Sequence, residues 1–183
     1  MGTTSKLSFT GITDVSAEMW ARRQPARPLL TLLAVSALLV LSSGCDSDNK
    51  SAARGPTHAQ FVSKLDAWCA RGKLRFAPLI EQFNKAALAN DFGGAAAALQ
   101  RTIPLRARYD AELHGITPSP ADRATFARYV RDESRIARLS PRMVAALKAR
   151  DEQEVNRLAN LVHSTRHDRT KAALELGTSD CGT

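Results

Sequence analysis

Aromatic side chains are scarce in this chain: six Phe, two Tyr and two Trp among 183 residues. No stretch alternates apolar and polar residues with a period of two. Sheets draw on aromatic and β-branched residues, so these two shortages argue against a β fold. Cysteine is confined to Cys45, Cys69 and Cys181. Their wide spacing excludes a CxxC redox pair and a thiolate zinc site. There is no HExxH, phosphate loop, dinucleotide fingerprint or nucleophile elbow, so the sequence calls for no cofactor and offers no catalytic residue. The longest apolar run covers 13 residues, 29–41. As a helix it would span roughly 20 Å, short of the roughly 30 Å of a hydrocarbon core, which argues against a permanent transmembrane segment and leaves an uncleaved membrane anchor as the least favoured alternative.

Charge of one sign is in excess: 26 basic against 18 acidic residues. Nucleic acid is nevertheless an unsuitable partner. The basic residues of 123–150 are interspersed with Asp122, Asp132 and Glu133, and no zinc-finger or RNA-binding signature accompanies them. The excess fits a solvated mixed-charge surface, or attraction to anionic lipid headgroups or cell-wall polymers.

The apolar run itself, LLTLLAVSALLVL, follows Arg22, Arg23 and Arg27 and precedes Ser42-Ser43-Gly44. Basic, apolar and small-residue segments in that order make a secretory signal. The residues ahead of it are unusually long and polar, and Met19 begins a more compact version, so translation starts at Met1 or Met19. Residues 1–44 are read as the signal peptide. Residues 45–57 contain no core-forming side chain and read as a flexible tether. Residues 58–183 are long enough to bury a core of their own.

The junction LSSGC at 41–45 resembles the lipobox of bacterial lipoproteins. Gly44 and Cys45 match its two strictest positions and Ser43 is acceptable. Ser42 departs, standing where the family usually has Leu, Val or Ile. The resemblance implies cleavage before Cys45 and acylation of its sulfur, which would leave the chain anchored through membrane lipid and facing the periplasm or the exterior. Two or more acyl chains make a stable anchor where one holds marginally. The departure at Ser42 keeps release by ordinary signal peptidase open as an alternative.

With Cys45 acylated, Cys69 and Cys181 are left. An oxidising compartment favours their pairing, which would staple the chain end to the first helix across 112 residues. The alternative is a buried free Cys69 with a loose Cys181. The segments AWCA at 67–70 and ELGTSDCG at 175–182 also resemble the small helical domains of lipoproteins from high-GC bacteria. That likeness implies a bundle and a cysteine pair, with no activity attached.

Apolar periodicity predicts an all-α, antiparallel four-helix bundle. The first helix runs from His58 to Asn90 with a stripe of Phe61, Leu65, Trp68, Phe76, Leu79, Phe83 and Ala87. Pro78 should kink or split it. The second spans Gly94 to His114, with Pro104 inside and Gly115 as a left-handed cap. The third starts near Ser119 or Pro120. Ser140-Pro141 resembles a cap and first-turn proline, which would divide it and give five helices. The last opens at Asp151, which forms a capping box with Glu154, and ends at Gly177.

Candidate working residues are few. His163 and His167 share a helix face at a spacing of four, but lack a third ligand, so no metal site is assigned. Asp110 with Glu112, and Asp132 with Glu133, read as solvated surface. Trp68, Tyr109 and Tyr129 would line any ligand pocket inside the bundle. Three readings follow. The first is a non-enzymatic envelope module that binds an envelope protein or a cell-wall polymer. The second is a carrier or sensor with a cavity among Trp68, Phe76, Phe83, Tyr109 and Tyr129. The third is a metal-dependent hydrolase built on His163 and His167.

Overall fold

The computed structural model describes residues 55–182. The apolar run, Cys45 and most of the tether lie outside the described residues. Four helices follow one another: α1 (His58–Leu88), α2 (Phe92–His114), α3 (Arg123–Ala149) and α4 (Glu152–Glu175). Each packs on the next in an antiparallel four-helix bundle.

Local signals set the boundaries. Thr57 and Gln60 form a full capping box at the start of α1. Asp91 caps α2 through the Gly94 amide at 2.9 Å, and Asp151 caps α4 through the Glu154 amide at 3.0 Å. Only half of the capping box expected at α4 forms. The Glu154 carboxylate turns outward to Arg157 and Arg142. Gly177 leaves α4 at φ +73°, a backbone that favours glycine. Gly115 does not play that part after α2, because it stays right-handed at φ −80°.

None of the three internal prolines ends a helix. Pro78, Pro104 and Pro141 lie within α1, α2 and α3 and are all exposed. The five-helix alternative therefore falls: α3 is continuous through Pro141. Ser140 bonds back to the Ile136 carbonyl at 3.4 Å instead of capping a new helix. Leu139 before the proline and Met143, Val144 and Leu147 after it are all buried. A lost amide bond costs about 3 kcal/mol, and several buried apolar side chains at about 1.5–3 kcal/mol each outweigh it.

The core forms two clusters. One gathers Phe61, Leu65, Trp68, Tyr109, Leu113, Phe126, Tyr129 and Leu176 around the cysteines. The other gathers Ala95, Ala96, Leu139, Met143, Leu147, Val155 and Leu158. Alanines in the second lie where α2 packs on α3. Arg106, Glu133 and Arg169 stand between the clusters in the sequences of α2, α3 and α4.

Candidate functional site

The three aromatic residues expected to line a pocket do meet. α1 supplies Trp68, α2 Tyr109 and α3 Tyr129, each on the face its apolar periodicity buries. The Trp68 and Tyr109 rings stack with centroids 3.9 Å apart, and Tyr129 meets Trp68 edge-on at 6.3 Å. Backbone bonds lock the stack. The Trp68 indole N–H donates to the Tyr109 carbonyl at 3.1 Å, and the Tyr109 hydroxyl donates to the Trp68 carbonyl. The rings fill the space between the helices with one another, leaving Trp68 2% and Tyr129 1% exposed. Phe76 closes against Tyr109 edge-on, while Phe83 packs with the other core cluster.

Gly72 makes this stack possible. A Cβ there would lie 2.1 Å from the Tyr109 hydroxyl oxygen and 2.4 Å from its ring. The hydroxyl is fixed by its bond to Trp68 and cannot move aside without losing it. Gly72→Ala is therefore expected to destabilise the bundle by about 2–3 kcal/mol, through overpacking and a broken buried hydrogen bond. A lower urea midpoint with unchanged slope would register it. A gain in stability from alanine's helix propensity would contradict the packing.

The chain's two tyrosines are both in this core. Burial pushes both hydroxyls well above the ordinary tyrosine range, with Glu133 adding to the shift. A raised folded-state pKa gives stability that is full below the unfolded value of about 10 and falls as pH rises past it. Absorbance at 295 nm should therefore stay flat through pH 10 and then rise in one step together with loss of helix. A smooth titration centred near 10, with helicity intact, would refute the buried placement.

Cys69 and Cys181 form the expected disulfide, with Cα atoms 5.2 Å apart. Since a bridged sulfur carries no proton, the Tyr129 hydroxyl is the donor in its 3.4 Å contact with Cys69 Sγ. Asp66 of α1 secures the same tail. Its carboxylate accepts from the Ser179 and Asp180 amides at 3.3 and 2.9 Å and from the Ser179 hydroxyl at 3.2 Å. Nothing in the sequence pattern singled out Asp66, whose partners are more than a hundred residues away.

The acidic pair Asp132–Glu133 is not solvated surface. Asp132 is 4% and Glu133 8% exposed. Arg106 from α2 and Arg169 from α4 clamp the two oxygens of Glu133 from separate sides. Arg106 also lies over the Phe76 ring at 5.5 Å. Burial works against charge on Arg169, but Glu133 and Tyr129 more than offset it and its pKa ends raised. Asp132 pairs with the adjacent Arg131 at 3.0 Å. The other acidic pair differs: Asp110 is half-buried and Glu112 exposed, the latter holding Arg75 at 3.0 Å.

His163 and His167 are both exposed on α4. Among the described residues no group of three His, Cys, Asp or Glu side chains could hold a metal ion, and no helix is long and apolar enough to cross a membrane. A shallow cleft of about 200 Å³ opens between α3 and α4, lined by Arg128, Arg131, Asp132, Asp168, Lys171 and Ala172. Three cations against two carboxylates make it mildly basic. The arrangement suits reversible contact with an anion. Comparison with protein-family models, with curated proteins and with solved structures found no match.

Proposed function

We propose that this chain is an exported bacterial envelope protein, held to a membrane by lipid on Cys45, and that its bundle works as a non-enzymatic binding module. The disulfide carries the reading. Of three cysteines, Cys69 and Cys181 are joined, so Cys45 is the one sulfur left for acylation, and it stands where the export signal ends. A bridge inside the core suits an oxidising compartment and is rarely sustained in a cytosol. The packed aromatic interior favours a surface as the working part. The tether of residues 45–57 places that surface close to the bilayer.

Membrane fractionation of cells making the full chain tests this. Wild type should sediment with membranes and move to the detergent phase. Cys45→Ala should appear in the soluble envelope fraction or persist as unprocessed precursor. A Cys45→Ala chain processed and membrane-bound like wild type would contradict the anchor.

A further inference from the structure

In the sequence, the basic residues of α3 are diluted by acids. In the fold the nearest acids are buried or turned elsewhere. Asp132 and Glu133 turn into the bundle, and Asp122 points to Ser119 and His58 at the helix entrance. Left outside is a single file: Arg128, Arg131, Arg135, Arg138 and Arg142, all exposed. The steps of three and four residues keep them on one helical face. The file is about 21 Å long at 1.5 Å per residue.

Acids from elsewhere reach part of it: Glu175 pairs with Arg128, Glu154 with Arg142, and Asp168 of α4 faces Arg131 across the cleft. Arg131 holds its neighbour Asp132 through Nε. Arg135 and Arg138 have no ion pair or hydrogen bond among the described residues. Across the cleft from Arg128 and Arg131, Lys171 of α4 offsets the charge of Asp168. Among the described residues the large exposed apolar ones are Leu74, Leu88, Leu105 and Leu174, none of them on α3. The face therefore offers charge and hydrogen-bond donors, with nothing to insert into hydrocarbon.

We infer that this α3 face docks on the anionic lipid headgroups of the membrane that carries the anchor. The inference rests on the anchored reading above. Guanidinium groups make paired hydrogen bonds to phosphate oxygens, and a row of five matches a plane of phosphates better than a single small anion. The twelve residues from Asp46 to Thr57 reach at most about 40 Å when extended and average roughly 20 Å as a flexible chain. The face is thus confined near the bilayer, where a weak electrostatic contact suffices.

The test uses the full chain bound to vesicles, with phenylglyoxal as an arginine-selective label mapped by mass spectrometry. On neutral phosphatidylcholine vesicles, Arg135 and Arg138 should react as fast as exposed Arg108 of α2. With roughly one third phosphatidylglycerol, they should slow roughly five-fold while Arg108 does not. Salt at about 0.5 M should restore the rate. Equal rates on both vesicles, or equal slowing at Arg108, would overturn the proposal. So would protection by soluble polyphosphate without protection by anionic vesicles. Arg135→Gln with Arg138→Gln, both exposed, should fold normally and abolish the difference in protection at Arg131. Flotation with neutral vesicles reads the anchor separately. A chain that floats only with anionic vesicles, and loses this on the double change, would keep the docking face and discard the anchor.

Discussion

Replacing Glu133 with alanine is expected to cost the bundle about 3 kcal/mol, although it removes only one carboxylate. The size comes from what stays behind. Arg106 and Arg169, 19% and 22% exposed at their side chains, would face each other without a counter-charge. Each Nε is already buried with no hydrogen-bond partner in the structure. The residual exposure places the cost at the lower end of the range for broken buried pairs. Glu133→Gln, which retains an acceptor, should lose less. Replacing all three residues by Leu or Met of similar volume should recover most of the loss, because an apolar layer needs no counter-ion. Urea unfolding of the three variants decides it. A midpoint shift for Glu133→Ala no larger than that for exposed Glu81→Ala would mean that the clamp contributes nothing.

Cys181→Ser is the other large effect expected. Chain entropy for a loop of 112 residues gives about 4–5 kcal/mol as the ceiling for the bridge. The melting temperature should fall by roughly 10–15 °C. Adding reductant to wild type should reproduce the fall, and adding it to the variant should change nothing. The loss is local in structure as well. Without the bridge, the tail is left to polar bonds such as those to Asp66, the Lys73–Asp180 pair and the Thr178 hydroxyl's bond to the Ala173 carbonyl at 3.0 Å. Hydrogen exchange in residues 178–182 should then speed up before that of α1. A wild-type protein equally stable with and without reductant would show that the tail is not held by its sulfur.

The parts of this fold legible in the sequence are those set within a few turns of helix. Phe61, Leu65 and Trp68 recur at helical spacing because one face is buried, and Asp151 announces a helix start because it caps its own amides. Gly177 ends α4 because the chain must turn left-handed there. The misreadings arose where distant segments decide. Pro141 breaks a helix on local grounds, yet Leu139, Met143 and Leu147 hold α3 together across it. Glu133 reads as surface because its partners, Arg106 and Arg169, lie 27 and 36 residues away. Once Glu133 and Asp132 are buried, the arginines of α3 line one exposed face, with Arg135 and Arg138 at its middle lacking an ion pair among the described residues, so the basic face was hidden by the same local view. Gly115 shows the reverse error: a residue able to turn left-handed need not do so.

The disulfide was legible for a chemical reason, since the sequence reads as that of an exported chain, and two thiols in an oxidising compartment tend to join. Trp68, Tyr109 and Tyr129 were legible as neighbours. The sequence left open whether they frame a void or fill it, and their stacking depends on Gly72, whose missing side chain leaves room for a hydroxyl.

The central claim concerns the sulfur of Cys45, and intact mass spectrometry of the chain extracted from native membranes addresses it directly. The account predicts a polypeptide that begins at Cys45, carries a diacylglycerol on that residue, and is two hydrogen atoms lighter than its reduced sequence because of the Cys69–Cys181 bond. A species beginning upstream of Gly44, or one with an unmodified thiol at Cys45, would contradict it.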